Sequence, residues 1–158
     1  RGLGPRQPSL CNFEKRNRVG IALMNETAPK DAFLQSVKRC AAHDGFIPAF
    51  YERFLASSDV IRDMFRDTDF EKQNQMLLRS LELSAGATAG EPEALREIQE
   101  RAVTHDRDHL NVHPDHYALW LDSIISTAGE FDPEWNKDLQ AAWQTILGHV
   151  IRHMTRKY

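Results

Sequence analysis

The stretch that decides the fold is Leu95 to Tyr117, LREIQERAVTHDRDHLNVHPDHY, in which a helical stripe of apolar residues leads directly to a histidine. Three apolar residues and the histidine occupy positions i, i+3, i+7 and i+10: Leu95, Ile98, Ala102 and His105. At 100° per residue, all four are predicted to share one narrow face of a helix. His105 is therefore predicted to point toward the core, either as a hydrogen-bonded core histidine or as the ligand of a metal in the same apolar pocket.

Apolar residues recur at helical spacing over the rest of the chain from Pro29 onward. The first helix is predicted to bury Phe33, Val37 and Ala41 on one face. The last helix is predicted to begin at Asp132-Pro133-Glu134, where the aspartate caps the helix and the proline falls in its first turn. The sequence contains no internal repeat and no convincing strand pattern. We therefore predict an all-α domain of six or seven helices.

Length, charge and cysteine content narrow the class of protein. With 158 residues, of which 41% are hydrophobic and 27% charged, the chain suits one globular domain with a sizeable core. No apolar run approaches the roughly 18 to 20 residues that span a bilayer. The net charge of −3 is small and mixed in sign, so neither nucleic acid nor a membrane surface is predicted as a partner. Cys11 and Cys40 lack a CxxC spacing and suit the reduced thiols of a cytoplasmic protein.

The N-terminal residues differ in composition from the rest. Residues 1–30 contain six basic and two acidic side chains, with glycine and proline scattered among them and no helical or alternating period. We predict a flexible extension at residues 1–29, followed by one folded domain at residues 30–158. Met24 suits a native start, in which case residues 1–23 would be a non-native leader. The apolar run at residues 19–24 is too short for a good secretory signal.

Three parts of the chain resemble the globin family. The stretch FYERFLASSDVIRDMFRDTDFEKQNQMLLRSL, from Phe50 to Leu81, resembles the second to fifth helices of a bacterial single-domain globin or a sensor-globin module. The segments HPDHY and AAW resemble parts of its last two helices, so the resemblance covers about residues 31–154. It implies the all-α globin fold around a haem pocket. It also implies haem b as the cofactor and the diatomic gases O₂, NO and CO as ligands.

The resemblance assigns roles to individual residues. Tyr51 corresponds to the distal-pocket tyrosine, Phe65 to the phenylalanine on the haem plane and Gln73 to the distal polar residue. His105 corresponds to the proximal iron ligand. A donor beside O₂ stabilises it selectively over CO, and Tyr51 and Gln73 are the donors that the resemblance implies. The pocket must also be apolar to protect ferrous iron, and its implied walls are Phe65, Leu77, Leu81, Ile98, Val112, Tyr117 and Ile146.

The proximal histidine is the point at which this chain departs from the family pattern. In many single-domain bacterial globins that histidine precedes the tyrosine of the next helix by ten residues, whereas His105 precedes Tyr117 by twelve and His109 precedes it by eight. The apolar stripe favours His105, and a loop two residues longer then accounts for the spacing. His109 remains the alternative ligand. A rival interpretation is a zinc site, which would need four ligands from this one segment: His105, His109, His113 and His116.

Two distal donors suit tight retention of O₂, and therefore scavenging, NO detoxification or gas sensing, better than bulk oxygen transport. An NO dioxygenase, or a peroxidase side activity, would need a separate reductase because the sequence has no GxGxxG motif for a flavin or nicotinamide. A gas sensor would need a partner or an output domain, and none is expected after the last helix. The alternative from a different class is a haem-free helical regulatory domain. The expected assembly is a monomer or a homodimer.

Overall fold

The structure, a computed structural model, describes residues 29–158, which form seven α-helices and no strand. The extension predicted at residues 1–29 lies outside the described residues except for Pro29. The all-α fold is confirmed in the described part, where no helix is both long and apolar enough to cross a membrane. In chain order the helices are α1 (29–41), α2 (Phe46–Ala56), α3 (Asp59–Met64), α4 (Phe70–Thr88), α5 (Pro92–His105), α6 (Pro114–Phe131) and α7 (Lys137–Thr155).

A main core lies between α1, α2, α6 and α7 and includes the inner faces of α3 and α4. Helix α2 packs against α3 and α6, and α7 packs against α4, α5 and α6. The largest side chains at its centre are fully buried aromatic rings: Phe33, Phe46, Phe50 and Trp143. Burying a side chain of this size stabilises the fold by roughly 1.5–3 kcal/mol. The main core is therefore the principal source of hydrophobic stabilisation.

A small core lies where α5 packs between the second half of α4 and the second half of α7. Helices α4 and α5 approach closely there, because a Cβ added at Gly86 would lie 3.0 Å from the Cβ of Ala94. Small residues at such a contact allow two helix backbones to come together. The small core consists of five buried residues: Leu83, Ala87, Ala94, Ile98 and Val150.

Local sequence signals fix the ends of the helices that carry the site. Asp69 caps α4 by accepting hydrogen bonds from the backbone amides two and three residues further on, at 3.1 and 3.4 Å. The chain then turns at Gly90, whose φ of 78° is a conformation that glycine adopts without strain. Pro92 follows in the first turn of α5, where a missing N–H costs nothing. Helix α5 ends at His105, which is the last residue of the predicted apolar stripe.

Two predictions about buried helix faces are wrong. Ala41 is exposed at the end of α1, and Cys40 is buried instead. The buried face of α1 is therefore rotated toward Cys40 in its last turn. Leu95 is 44% exposed, and Ala94 is buried instead. The reason is the close approach of α4 at Gly86, which leaves room for an alanine methyl group but not for a leucine side chain.

The predicted start of the last helix is also wrong. Helix α7 begins at Lys137, and Asn136 caps it through two backbone amides. Asp132 is instead buried, and it accepts hydrogen bonds from Ser36 at 2.5 Å and from Arg39 at 2.6 and 2.8 Å. Burial alone would raise the pKa of Asp132, but these hydrogen bonds outweigh it and hold the pKa below its usual range. Asp132 therefore ties α1 to the turn before α7.

Candidate haem site

Tyr51 lies within an aromatic cluster formed by α2, the residue after α3 and the start of α4. Its ring centroid lies 4.9 Å from that of Phe50, 6.0 Å from that of Phe65 and 5.2 Å from that of Phe70. Tyr51 is 5% exposed, and this burial raises its pKa to about 12. The hydroxyl therefore keeps its proton near neutral pH and can donate a hydrogen bond.

Gln73 lies in the first turns of α4, beside Tyr51. Its side chain is close enough to the Tyr51 hydroxyl to oppose the effect of burial on the pKa of that hydroxyl. Gln73 is half-buried, and its amide group can both donate and accept hydrogen bonds. The structure thus places near each other the two polar side chains that the resemblance assigns to the distal pocket.

Phe65 and Phe70 extend the aromatic cluster along the link between α3 and α4. Their rings are nearly parallel, with centroids 6.4 Å apart, and Phe65 also meets Phe54 edge to face at 5.8 Å. Phe70 is not among the site residues predicted from the sequence. The signal was present, because Phe70 precedes Gln73 by three residues and so shares its helix face.

His105 is the last residue of α5 and lies on the same face as the buried residues Ile98 and Ala102. Its Nδ1 atom lies 2.8 Å from the carbonyl oxygen of Arg101. Because a carbonyl can only accept, Nδ1 donates this bond and the lone pair resides on Nε2. Burial lowers the pKa of His105, although the bond to Arg101 opposes the shift. The ring is therefore neutral at pH 7, which is the form that binds a metal ion.

His109 has a different environment from His105. It lies in the loop between α5 and α6, its side chain is 54% exposed, and its Nδ1 lies 2.6 Å from Asp106 Oδ1. The hydrogen bond to this carboxylate raises the pKa of His109. His109 therefore lies in a polar, solvent-exposed setting, whereas His105 lies on the apolar face of α5.

The other two histidines of this segment, His113 and His116, lie side by side at the start of α6. His113 caps α6 by accepting a hydrogen bond from the Asp115 amide at 3.3 Å, and its ring centroid lies 6.0 Å from that of His116. Within residues 29–158, no three side chains among histidine, cysteine, aspartate and glutamate form a group that could hold a metal ion. The four histidines considered for zinc are not brought together as one ligand set.

The residues predicted as pocket walls lie in different parts of the fold. Ile98 belongs to the small core between α4, α5 and α7. Val112 is half-buried in the loop after α5, and Tyr117 is buried at the start of α6, where burial raises its pKa to about 12. The remaining aliphatic walls are buried in the main core together with Tyr51: Leu77, Leu81 and Ile146.

The large exposed apolar side chains of the described residues all fall between positions 60 and 110, and α1, α2, α6 and α7 contribute none of them. The residues are Val60, Met64, Met76, Leu95, Val103 and Leu110.

Known proteins match both the sequence and the fold. A family model described as Globin matches residues 48–154. Hemoglobin subunit beta-1 of Boreogadus saida is 38% identical over 58 residues, which are 36% of this chain and 39% of that subunit. The crystal structure of protein PA3967 from Pseudomonas aeruginosa PAO1, described as structurally highly homologous to a human hemoglobin, matches with a TM-score of 0.78 and 30% identity. That match covers 82% of this chain and 98% of the bacterial protein.

Proposed function

The chain belongs to the globin family, which supports haem-based binding of a gas, and from this premise we propose that His105 holds the iron of haem b. The state of the His105 ring carries the proposal. The ring is neutral, and its Nδ1 is engaged by the Arg101 carbonyl, so the lone pair of Nε2 is the one available to iron. When bound, haem supplies a ferrous iron whose sixth position accepts a diatomic gas.

The other side chains of the site fit a large apolar cofactor with one polar face for a gas. Leu77, Leu81 and Ile146 provide aliphatic surface. Apolar walls exclude the water that promotes oxidation of ferrous iron. His109 is less suited to the metal because it is exposed in the loop after α5 and does not share the apolar face that carries His105. The chemistry of the donor set therefore supports haem with His105 as the ligand.

We assign Tyr51 and Gln73 the role of hydrogen-bond donors to the gas. The Tyr51 hydroxyl keeps its proton because its pKa is raised to about 12, and the Gln73 amide lies beside it. Each hydrogen bond contributes about 1 kcal/mol, so that two together change the affinity by tens of times. Such a pair would favour O₂ over CO, because hydrogen-bond donors stabilise the ligand that carries more negative charge.

The activity we propose is tight O₂ binding, with NO detoxification as the associated reaction. In that reaction O₂, NO and one electron give nitrate. We infer that a reductase outside the described residues supplies the electron. Tyr51 and Gln73 hold O₂ in place until NO arrives, and the apolar walls keep water away.

The test is the ultraviolet-visible spectrum of the purified protein reconstituted with hemin, recorded ferric, ferrous, and ferrous with O₂ and with CO. Wild type and His109→Ala should give a strong Soret band and a stable oxygenated form. His105→Ala should lose both, and added imidazole should restore the band. His109→Ala is the matched control because it removes the same ring four residues later. No Soret band in wild type overturns the proposal, and loss in His109→Ala alone moves the ligand to His109.

The distal assignment has its own test. Tyr51→Phe removes the hydroxyl but keeps the aromatic packing, and Gln73→Leu removes the amide. Each change should speed O₂ dissociation about fivefold, which corresponds to one lost hydrogen bond, while CO dissociation changes less. Stopped-flow displacement of O₂ by CO measures this rate. Unchanged O₂ dissociation in both variants would remove Tyr51 and Gln73 from the ligand site.

A further inference from the structure

Phe70 is the first residue of α4, and its ring contacts the ring of Tyr51 on α2. The two centroids lie 5.2 Å apart and the ring planes are inclined at 76°, so the rings meet edge to face. Aromatic pairs favour this arrangement because the positive edge of one ring approaches the negative face of the other. The contact therefore favours one orientation of the Tyr51 ring, and with it one direction of the hydroxyl.

The other two rings around Tyr51 do not connect it to α4. Phe50 precedes Tyr51 in the same helix and moves with it, whereas Phe65 is the residue after α3, tilted at 52° with its centroid 6.0 Å away. Backbone packing joins α2 to α3 and α6, and it joins α4 to α5 and α7. Among the aromatic contacts of the described residues, the Phe70 ring is thus the one that ties Tyr51 to α4.

Phe70 and Gln73 belong to the same capped first turn of α4. The Asp69 carboxylate accepts hydrogen bonds from two backbone amides of this turn, and the backbone N–H of Gln73 donates to the Asp69 carbonyl at 3.0 Å. Residues three positions apart are neighbours on one helix face. The contact of the Phe70 ring with Tyr51 therefore helps to set the distance between the Gln73 side chain and the Tyr51 hydroxyl.

We propose that Phe70 is a positioning residue for the gas ligand, because its ring orients Tyr51 so that the hydroxyl points to the same gas molecule as the Gln73 amide. This inference rests on the proposed function, in which these two side chains donate hydrogen bonds to O₂. Phe70 has no polar side-chain atom and can donate no hydrogen bond itself. Its effect on O₂ therefore passes through Tyr51.

Two substitutions remove the Phe70 ring and keep an apolar side chain, Phe70→Leu and Phe70→Met. Phe70 is half-buried, so neither change leaves an enclosed cavity, and both variants are expected to fold. Phe131→Leu is the matched control. Phe131 is also half-buried, but its ring contacts Phe46 and His43 rather than Tyr51.

The first measurement needs no haem. In the haem-free protein with ¹³C-labelled tyrosine, the nuclear magnetic resonance signals of the Tyr51 ring are identified by their absence from Tyr51→Phe. Phe70→Leu and Phe70→Met should both shift these signals, because the ring current of Phe70 is lost, and should speed the flipping of the Tyr51 ring. The Tyr117 signals serve as the internal reference, and Phe131→Leu should leave the Tyr51 signals at their wild-type positions.

The second measurement is a double-mutant cycle on O₂ dissociation from the ferrous holoprotein, measured by stopped-flow displacement with CO. Phe70→Leu alone should speed O₂ dissociation about three- to fivefold, because the hydrogen bond from Tyr51 is weakened or lost. In the Tyr51→Phe background, the same substitution should have almost no further effect. The C–O stretching band of the ferrous CO form should move in Phe70→Leu in the same direction as in Tyr51→Phe. Phe131→Leu should match wild type in both the rate and the band.

The outcomes distinguish this inference from the proposed function. A wild type that binds no haem overturns both. In a wild type that binds haem, Tyr51 signals that stay unshifted in the Phe70 variants overturn the inference alone. An O₂ dissociation rate that Phe70→Leu leaves unchanged, or accelerates equally in wild type and in Tyr51→Phe, also overturns it, because the ring would then not act through Tyr51. Shifted Tyr51 signals, together with an effect on O₂ that disappears in Tyr51→Phe, support the inference.

Discussion

The two cores of this molecule differ in size and in the side chains that fill them. Among residues 29–158, the main core contains eighteen buried residues and is centred on aromatic rings, whereas the small core contains five and no aromatic ring. Tyr51 lies in the main core, and His105 lies at the end of the helix that the small core holds. Tyr51, the proposed donor to the gas, thus lies in the larger of the two cores. His105, the proposed iron ligand, lies on a helix that contributes few residues to either core.

The largest expected effect comes from truncating a side chain in the main core. Phe50 is fully buried, so Phe50→Ala should lower the free energy of unfolding by about 3–5 kcal/mol. Ile98→Ala is the corresponding truncation in the small core and should cost about 2 kcal/mol, because α5 can relax toward solvent. Urea denaturation followed by circular dichroism measures both. Equal losses would contradict the distinction between the two cores.

The buried carboxylate of Asp132, which ties α1 to the turn before α7, should have the next largest effect. Asp132→Asn removes the charge that pairs with Arg39 and should cost about 3 kcal/mol at pH 7. The folded pKa of Asp132 lies below its unfolded value. The pair therefore stabilises the fold above roughly pH 4, and this contribution is lost as the pH falls through the folded pKa.

Urea denaturation between pH 7 and pH 2.5 tests this prediction. Wild type should lose stability more steeply in acid than Asp132→Asn. Glu134→Gln is the control, because the Glu134 carboxylate also lies 3.2 Å from Arg39 but is 69% exposed. It should change stability little at any pH. Parallel curves for wild type and Asp132→Asn would show that the buried pair is not the source of the acid sensitivity.

Removing haem should affect the two cores unequally. A ligand that binds only the native state stabilises the regions whose opening would release it. We expect amide exchange in α5 to be at least roughly tenfold faster in the haem-free protein, and exchange in α2 to change by less than about threefold. Hydrogen exchange read by mass spectrometry gives both values from one experiment. Equal acceleration in α2 and α5 would show that the helices open as one unit.

The smallest effect is expected on the surface of the main core. Arg53 on α2 pairs with Glu130 on α6, and it also donates to Thr127 Oγ1 at 2.6 Å. Glu130→Gln should cost less than about 1 kcal/mol, because exposed ion pairs contribute little. The difference from wild type should shrink further in roughly 1 M salt. A loss above about 2 kcal/mol would mean that this pair contributes as much as a buried side chain.

The features that the sequence predicted correctly depend on residues close together in the chain. Phe33 and Val37, four residues apart, are buried on one face of α1, and Ile98 and Ala102 share the buried face of α5. The features that were predicted wrongly depend on distant partners. Asp132 looks like a helix cap until Ser36, 96 residues away, is placed beside it. The exposure of Leu95 follows from the contact between α4 and α5, which no periodicity reveals.

The features of the candidate site also divide into those that depend on nearby residues and those that depend on distant ones. The face of His105 follows from the period of its own helix, and its bond to the carbonyl four residues earlier is a feature of helix geometry. Tyr51 and Gln73 were selected by the resemblance, because each alone is an ordinary helix residue. The ring contact between Tyr51 and Phe70 joins two helices and depends on how α2 and the start of α4 come together. No local pattern encodes it.

Because α4 and α5 are in close contact at Gly86, a small rotation of α5 about that contact displaces its far end. The helix touches α4 at Ala94, and His105 lies eleven residues further along, or about 16 Å at 1.5 Å per residue. A rotation of about 4° around that contact moves the imidazole by about 1 Å. A Cβ at position 86 would lie only 3.0 Å from that of Ala94, so one methyl group there would push α5 away from α4 at this contact. The backbone at Gly86 thus influences the position of His105, the proposed iron ligand.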